Sequence, residues 1–354
     1  MGIIVGFDDL SAGDVDRQGR SNELLDQAAS SGASISRIQL DWAELETAPG
    51  QYDPEPLAQS LEAARQRGQL VYVTISTLDS DGLTLPEYLL DDDGRLREGL
   101  SLASPEVTGR FEGLLEWIVP QLGSDAWALS MGNEVDSPIA DGLVPANDAL
   151  VFFQAGAQQI KAMDPDLATT VTLTIGAPTT VPNFAEQLND GLDVATVNHY
   201  CLDASLQVTG QDQWERDVQT MKAMARGKPI MIQELGCPVG FAGDPAAFAS
   251  KTGTMNGSQE LQSAYFTFFD RLYANDPQFR AATVFQLFDW SPELAEMFGD
   301  FVRSEGASLA GDRLEEWLAT VGICRWTDAT CRPAWDVWLN SLARQSELRA
   351  SAVD

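Results

Sequence analysis

Residues 126–134 read AWALSMGNE, and residues 228–236 read KPIMIQELG. Each stretch is a short, mostly apolar run that leads into a glutamate, Glu134 in the first and Glu234 in the second. Short apolar runs bounded by turn residues are typical of strands that are buried on both faces. Such strands occur in parallel sheets that helices cover. The two stretches therefore predict buried parallel strands that each end in a carboxylate.

Outward from these stretches, strand-like runs alternate with amphipathic helical patterns along nearly the whole chain. We predict eight strands, at residues 3–8, 34–42, 70–77, 126–134, 170–176, 194–200, 229–234 and 282–290. Helical patterns lie between them, for example at residues 56–67, 105–121, 146–163, 212–225 and 259–274. This alternation indicates βαβ units. Eight units predict an α/β fold, a single (β/α)8 TIM barrel that forms one catalytic domain over residues 1–354.

The main alternative to the barrel is an open, doubly wound sheet. That fold usually has a glycine-rich turn after its first strand. Residues 6–10 read GFDDL, which is not glycine-rich. The sequence therefore favours the closed barrel.

The charge of the chain limits its partners. Among 354 residues, 53 are acidic and 22 are basic, which gives a formal net charge of −31. Such a surface repels nucleic acid and anionic lipid, so we predict neither nucleic-acid nor membrane binding. No run approaches the roughly 18–20 apolar residues of a membrane-spanning helix. We make no prediction of the oligomeric state.

The cysteines and the single histidine bear on cofactors and location. Cys201, Cys237, Cys324 and Cys331 show no paired C-x-x-C spacing, so we predict no metal site and no cofactor. Cys324 and Cys331 bracket a short segment that can form a hairpin, where a disulfide and two free thiols are both possible. A disulfide there would fit an exported protein. We expect a secreted or periplasmic protein whose signal peptide has been removed, with a cytoplasmic one as the alternative.

The reactive groups of a (β/α)8 barrel lie at the carboxyl ends of its strands. The predicted strand ends are Asp8-Asp9, Asp41-Trp42, Asn133-Glu134, Asn198-His199-Tyr200, Gln233-Glu234 and Asp289-Trp290. They are rich in carboxylates and aromatic rings. Glycosidic cleavage uses one carboxylic acid to protonate the leaving oxygen and one carboxylate to attack the anomeric carbon. The strand ends therefore favour a glycoside hydrolase.

The same strand ends resemble those of clan A of the glycoside hydrolases. Residues 130–134, SMGNE, are similar to the clan's asparagine–glutamate pair after strand four, and residues 228–236 are similar to its segment after strand seven. Residues 37–42 and 322–335 resemble the clan's second strand and its last segment before the final helix. The resemblance implies a retaining enzyme with Glu134 as acid/base and Glu234 as nucleophile.

The resemblance also implies roles for supporting residues. Tyr200 would donate a hydrogen bond to the nucleophile, Arg37 would hydrogen-bond to it, and Asn133 would bind the sugar 2-hydroxyl. Trp290 would be a platform for a sugar ring, and we place the strand-end residues Asn198 and Trp42 beside these as substrate or supporting residues. Because side chains alternate along a strand, His199 faces away from Tyr200 and packs behind the barrel wall, with a substrate contact as the alternative.

The substrate is less defined than the reaction. Asn198-x-Tyr200 resembles the β-1,3-glucanase side of the clan, so we expect an endo-β-glucanase, with β-1,3 linkages preferred over β-1,4. The alternatives are a β-mannanase, a β-galactanase and an exo-β-glycosidase. Two alternatives come from other classes: a glycan-binding barrel without catalysis, and a serine hydrolase in which residues 128–132, ALSMG, form a degenerate nucleophile elbow at Ser130 with His199 as base.

Overall fold

The computed structural model describes residues 1–3 and 15–351, with side chains up to residue 347. The predicted strand end Asp8-Asp9 lies outside these residues. The described strands are Gly2–Ile3 (β1), Ile35–Asp41 (β2), Glu46–Ala48 (β3), Gln51–Tyr52 (β4), Leu70–Ser76 (β5), Leu78–Asp79 (β6), Gly82–Leu83 (β7), Ala126–Ser130 (β8), Ala168–Thr170 (β9), Thr172–Thr174 (β10), Ala195–Tyr200 (β11), Ile230–Gly236 (β12) and Phe279–Val284 (β13).

Helices follow most of the longer strands. The described α-helices are Arg17–Ser30 (α1), Trp42–Leu45 (α2), Glu55–Gln66 (α3), Pro105–Leu122 (α4), Asp136–Ala140 (α5), Ala146–Met163 (α6), Ala177–Thr180 (α7), Pro182–Asp190 (α8), Gln211–Ala225 (α9), Pro245–Phe248 (α10), Gln259–Asn275 (α11), Pro292–Ser304 (α12), Ser308–Leu318 (α13) and Pro333–Ser351 (α14). Short 3-10 turns occupy Glu87–Leu89 and Gly123–Asp125. Local caps start several of these helices: the hydroxyl of Ser258, for example, accepts from the backbone N–H of Leu261 at 3.1 Å.

The longer strands form two sheets. One has the order β1-β13-β12-β11-β10, and the other has the order β2-β5-β8-β9. Strands β2 and β5 pair in parallel from Ile35 opposite Leu70 to Asp41 opposite Ser76. The pairs β5–β8, β8–β9, β10–β11 and β1–β13 are also parallel. Two antiparallel ribbons, β3–β4 and β6–β7, lie in the segments after β2 and β5. Parallel strands joined through helices are the βαβ pattern that the sequence predicts.

Two predicted strands end earlier than expected, and a residue beyond each observed end has a positive φ. Strand β8 stops at Ser130 rather than at residue 134, and β13 stops at Val284 rather than at residue 290. Glu134 has a φ of 47° and Gln286 has a φ of 69°. A positive φ takes the chain out of the extended conformation. In both cases the apolar run in the sequence continues past the last residue that pairs with a neighbouring strand. The sequence pattern alone therefore overestimates the length of the strand.

The chain divides into two compact units. The first unit comprises Met1–Ser34, His199–Asp217 and Glu234–Asp354, and the second comprises Ile35–Asn198 and Val218–Gln233. The core of the second unit contains an aromatic cluster in which the rings of Trp42, Phe111 and Phe152 lie with centroids 4.7–6.3 Å apart. Aromatic pairs at these distances add to the hydrophobic stabilisation of a core.

Covalent and ionic links stabilise the first unit. Disulfides join Cys201 to Cys237 and Cys324 to Cys331. The sequence left the second pair open and did not predict the first. The fully buried guanidinium of Arg332 donates to both oxygens of Asp289, at 2.8 and 2.7 Å, and to Asp244 at 3.0 Å. A buried charge needs partners of this kind, so these links tie the segment after β13 to the loop after β12.

None of the helices among residues 1–3 and 15–351 is both long enough and apolar enough to span a membrane.

The two disulfides allow a test of what holds the first unit together. They close segments of 36 and 7 residues in sequence separation. By chain entropy alone, these closures are worth roughly 4 and 2 kcal/mol. We expect the double variant Cys201→Ala/Cys237→Ala to lose more free energy of unfolding than Cys324→Ala/Cys331→Ala does. Denaturant titration of both variants measures the difference. Equal losses, or a larger loss in Cys324→Ala/Cys331→Ala, would show that the length of the closed segment does not determine how much each disulfide contributes to stability.

Candidate active site

Glu134 lies just past the end of β8, where the backbone leaves the ladder. The N–H of Met131 still donates to Thr170 at 3.1 Å, and the N–H of Asn133 donates to Leu78 at 3.0 Å. A side chain at Gly132 would place its Cβ 2.5 Å from a methyl carbon of Val135, so only glycine fits there. Glu134 itself adopts a left-handed φ of 47°. Non-glycine residues in this region carry strain that is often found at functional sites.

The carboxylate of Glu134 receives an amide donor. The Nδ2 of Asn198 donates to Oε1 of Glu134 at 2.9 Å and to Oδ1 of Asn133 at 3.1 Å. Asn198 and Asn133 are buried, with 3% and 6% of their surface exposed. All three residues belong to the second unit. Asn198, on β11, therefore hydrogen-bonds directly to Glu134. Its burial leaves little of its side chain accessible to a substrate.

Asp79 holds the other side of Asn133. The Nδ2 of Asn133 donates to Oδ1 of Asp79 at 2.9 Å, and the Nε2 of Gln39 donates to Oδ2 of Asp79 at 3.2 Å. Arg37, on β2, donates from Nη2 to the Oε1 of Gln39. In the second unit, Arg37 therefore contacts the polar chain that leads through Gln39 and Asp79 to Asn133.

An acidic cluster surrounds Asp41 at the end of β2. Burial raises the pKa of Asp41 from 3.8 to about 6, with further contributions from repulsion by Glu44, Asp79 and Asp81. A hydrogen bond with Ser76 acts in the opposite direction. Like charges and burial both disfavour the ionised form of a carboxyl group. Asp41 therefore keeps its proton to a higher pH than an ordinary aspartate does.

Glu234 lies in the first unit, on β12, with only 6% of its surface exposed. The hydroxyl of Tyr200 donates to its Oε2. The ring of Tyr200 makes edge contacts with Phe285 and Trp317, at centroid distances of 5.4 and 5.0 Å. A Cβ at Gly236 would lie 2.9 Å from this ring, so the glycine two residues after Glu234 makes room for the tyrosine. These packing contacts thus hold the hydroxyl of Tyr200 in position to donate to the carboxylate of Glu234.

Two tryptophans pack beside this tyrosine in the first unit. Trp290, in the loop between β13 and α12, and Trp317, on α13, both pack partly buried against Phe285 and Val321. The ring of Trp290 also makes an edge contact with Phe298 at 5.4 Å. The structure therefore places Trp290 on an aromatic surface that includes Tyr200, and it adds Trp317 to the residues found from the sequence.

The sequence suggests Trp42 as a substrate or supporting residue, and only a supporting role is compatible with its position in the core of the second unit. Its side chain is fully buried, and its indole N–H donates to Oε2 of Glu46 at 2.8 Å. Strand β2 ends at Asp41, and Trp42 begins α2. The alternation of side chains along the strand therefore does not extend to Trp42, which turns into the core against Phe111 and Phe152.

His199 is also fully buried, in the first unit. Its Nδ1 lies 2.6 Å from the hydroxyl of Tyr265, and its Nε2 lies 3.0 Å from Oδ2 of Asp217. Tyr265 belongs to α11, so the imidazole packs among helices rather than facing solvent. The possible substrate contact of His199 is therefore ruled out, because both ring nitrogens are already bonded to protein groups.

The same contacts weaken the serine hydrolase alternative. Ser130 is fully buried, and its hydroxyl donates to the carbonyl of Gly132 at 2.9 Å. A nucleophilic serine needs an exposed hydroxyl beside a basic nitrogen. Ser130 has neither the exposure nor a histidine bonded to it, since the nitrogens of His199 are bonded to Asp217 and Tyr265.

Four features of the site were missed from the sequence. They are the Asp79 contact with Asn133, the burial of Gln233 among hydroxyl groups, Trp317, and the Cys201–Cys237 disulfide. The disulfide had a readable signal, because Cys201 and Cys237 follow the ends of two predicted strands that are consecutive in the chain. The other three depend on contacts between segments far apart in sequence, for which no short motif exists.

The raised pKa of Asp41 predicts how its replacement changes stability. A carboxyl group whose folded pKa lies above its unfolded value destabilises the fold as pH rises through the window from about 4 to 6. Asp41→Asn should therefore raise the free energy of unfolding at pH 8 by roughly 1–2 kcal/mol, allowing for solvent screening, and change it little at pH 4. Urea titrations at both pH values measure the effect, with the exposed Asp92→Asn as control. An equal effect of Asp41→Asn at the two pH values would contradict the assignment.

Comparison with known proteins places this geometry in context. No family model and no curated protein sequence matches the chain. Solved structures do match. A GH5_18 protein from Bifidobacterium longum subsp. longum ATCC 55813, solved in complex with Manb1-4GlcNAc, has a TM-score of 0.67 at 14% identity, with 94% of this chain and 74% of that one covered.

Two further structures are similar over most of the chain. The exo-beta-1,4-mannosidase Op5Man5 from Opitutaceae bacterium strain TAV5 has a TM-score of 0.64 at 17% identity, covering 99% of this chain and 59% of that one. The beta-glycosidase BGL167 has a TM-score of 0.61 at 17% identity, covering 93% and 87%. The structures that match include GH5 proteins of the clan that the strand ends resemble. The predicted α/β fold is confirmed: the chain has the (β/α)8-barrel fold of these glycoside hydrolases.

Proposed function

We propose that this protein is a retaining β-glycosidase, in which Glu134 is the acid/base and Glu234 the nucleophile, and that its barrel is a single catalytic domain. The observation that carries the proposal is the hydrogen bond that Tyr200 donates to the nearly buried carboxylate of Glu234 at the end of β12. A hydroxyl donor favours the ionised form of a carboxylate, which is the form that attacks. The amide donor at Glu134 and the (β/α)8 fold also support a retaining β-glycosidase.

In the first step of this mechanism, Glu234 attacks the anomeric carbon and forms a glycosyl ester. The glycosidic bond breaks, and its oxygen takes the proton of Glu134. In the second step, the ionised Glu134 removes a proton from water. That water attacks the anomeric carbon, and the carboxylate of Glu234 leaves. Two displacements restore the original anomeric configuration, and both carboxyl groups return to their starting state without a cofactor or metal.

For the substrate, we propose β-1,4-linked mannosides in place of the β-1,3-glucans expected from the sequence. Two of the similar structures support this choice: one is named an exo-beta-1,4-mannosidase, and one was solved with Manb1-4GlcNAc. The β-1,3-glucanase expectation rested on the Asn198-x-Tyr200 pattern alone. In this structure Asn198 is 97% buried and bonded to Asn133 and Glu134, so its chemistry serves the protein rather than a particular sugar.

Within this proposal, Trp290 and Trp317 supply the sugar platform. Both rings are partly exposed beside Tyr200, which contacts the nucleophile. Aromatic faces provide a large apolar contact that suits the C–H face of a sugar ring. A non-catalytic glycan-binding role is less favoured, since both glutamates are present and each receives a hydrogen-bond donor.

We also propose that the protein acts in an oxidising compartment, secreted or periplasmic. The support is the pair of disulfides, Cys201–Cys237 and Cys324–Cys331, which use all four cysteines of the chain. Disulfides persist outside the cytosol, where thiols are not kept reduced.

Azide rescue tests the roles of the two glutamates. Glu234→Ala should lose activity on an activated aryl β-glycoside and regain part of it with sodium azide, giving the α-glycosyl azide. Glu134→Ala should retain the first step on the same substrate and give the β-glycosyl azide, because azide then replaces water without a general base. NMR identifies the products, and the exposed Glu293→Ala serves as control. Products from the opposite variants would reverse the assignment.

The substrate proposal is tested with matched leaving groups. We expect kcat/KM for 4-nitrophenyl β-mannoside to exceed that for 4-nitrophenyl β-glucoside by at least about tenfold, since a site built around one hydroxyl configuration rejects its epimer. Manβ1-4GlcNAc and β-1,4-mannobiose should be cleaved faster than laminaribiose. A preference for laminaribiose would contradict the mannoside proposal and favour the β-1,3-glucanase hypothesis. The mechanism with two carboxyl groups would be unaffected.

A further inference from the structure

Three amide side chains lie in contact inside the second unit. They belong to Asn133, Asn198 and Gln233, with 6%, 3% and 0% of their surfaces exposed. An amide has a donor end and an acceptor end of nearly the same shape, so its orientation follows from its partners. Buried donors must meet acceptors, because an unmatched polar group in the interior is costly. The orientation of this amide cluster can therefore be derived from the groups at its edges.

Asp79 fixes the first amide of the cluster. Its Oδ1 accepts from Nδ2 of Asn133 at 2.9 Å and from the backbone N–H of Ser80 at 2.7 Å. An oxygen that accepts from the N–H of Ser80 presents lone pairs to its other partner as well. Asn133 must therefore turn its Nδ2 to Asp79 and its Oδ1 away. That oxygen accepts from Nε2 of Gln233 at 2.7 Å and from Nδ2 of Asn198 at 3.1 Å.

Hydroxyl groups hold the far end of Gln233. Its Oε1 accepts from the hydroxyls of Tyr72 at 3.0 Å, Thr74 at 2.9 Å and Thr172 at 2.6 Å. If the amide of Gln233 were reversed, its oxygen would face Oδ1 of Asn133, acceptor against acceptor. The hydroxyls and Asn133 thus select the same orientation of Gln233.

Asn198 connects the amide cluster to Glu134. Its Oδ1 lies 3.5 Å from Nε2 of Gln233, and its Nδ2 lies 2.9 Å from Oε1 of Glu134. An amide N–H only donates, so Oε1 of Glu134 accepts from Asn198, and a carboxyl group accepts best at the oxygen that carries no proton. When Glu134 is protonated, the proton then belongs on Oε2.

We propose that Gln233 is a positioning residue for the acid/base, an inference that rests on the role proposed above for Glu134. Gln233 holds Asn133 and Asn198 in one orientation, so that Asn198 donates to Oε1 and the transferred proton is carried by Oε2. In the first step, Oε2–H protonates the leaving oxygen, and the N–H of Asn198 stabilises the carboxylate that forms. In the second step, Oε2 takes the proton from water.

The test uses the dependence of rate on the leaving group. Loss of acid catalysis slows substrates with poor leaving groups and spares activated ones. We expect Gln233→Met to lower kcat/KM for β-1,4-mannobiose by about 10- to 100-fold, and for 2,4-dinitrophenyl β-mannoside by less than about threefold. Glu134→Ala provides the reference pattern. Thr170→Val, which removes a fully buried hydroxyl bonded to Val194 and Thr196, provides the control, with lower stability and no leaving-group selectivity.

The outcomes separate the two proposals. If Glu134→Ala shows the selective loss and Gln233→Met lowers both substrates equally, the positioning role of Gln233 is wrong. If Glu134→Ala itself shows no selectivity, the acid/base assignment fails instead.

A measurement on the unmutated protein covers the case in which Gln233→Met does not fold. A neutron crystal structure of the deuterated enzyme should show the deuterons of Asn198 Nδ2 directed at Oε1 of Glu134, and the carboxyl deuteron at low pH on Oε2. A deuteron on Oε1, or the reversed amide at Asn198, would overturn the proposal.

Discussion

A carboxylate held at the buried end of a strand must receive hydrogen bonds, because an unpaired charge in the interior costs several kcal/mol. This constraint organises both units. In the first, Tyr200 supplies the donor for Glu234, and aromatic packing with Phe285 and Trp317 holds that tyrosine in place. In the second, the buried amide of Asn198 supplies the donor for Glu134, which is partly buried and lies just past the end of β8. The fold provides the strand ends, and the buried polar partners define the state of each carboxylate.

The partners are themselves held by groups whose primary role is stability. The Cys201–Cys237 disulfide begins one residue after Tyr200 and ends three residues after Glu234. Further along, the buried carboxylate of Glu316 accepts from the backbone N–H groups of Phe241, Thr254 and Met255 at 2.6–3.1 Å, which orders the loop after β12. Bonds of this kind limit the movement of the backbone around the proposed nucleophile, so stability and positioning use the same contacts.

The sequence predicted the fold because its information is local and repeated. Short apolar runs and amphipathic helices alternate, and that period specifies a parallel α/β barrel without knowledge of any side-chain contact. It also singled out Glu134 and Glu234 as candidates, although β8 ends four residues before Glu134 and β12 continues two residues past Glu234. It did not reveal that Trp42 is buried, because β2 gives way to α2 one residue before the predicted strand end. It could not find the partners of Gln233, because Tyr72, Thr74 and Thr172 lie on distant strands and carry no common motif.

In the proposed mechanism, Glu234 forms a covalent bond to the sugar. A 2-deoxy-2-fluoro-β-mannosyl fluoride reacts through the first step and hydrolyses slowly in the second, so the glycosyl enzyme accumulates. Mass spectrometry of the intact protein, followed by proteolysis and peptide sequencing, locates the label. We expect one fluoromannosyl group per chain, attached to Glu234, if this residue is the nucleophile. Attachment to another residue would contradict this assignment, as would the absence of any label on an enzyme that turns over the parent β-mannoside.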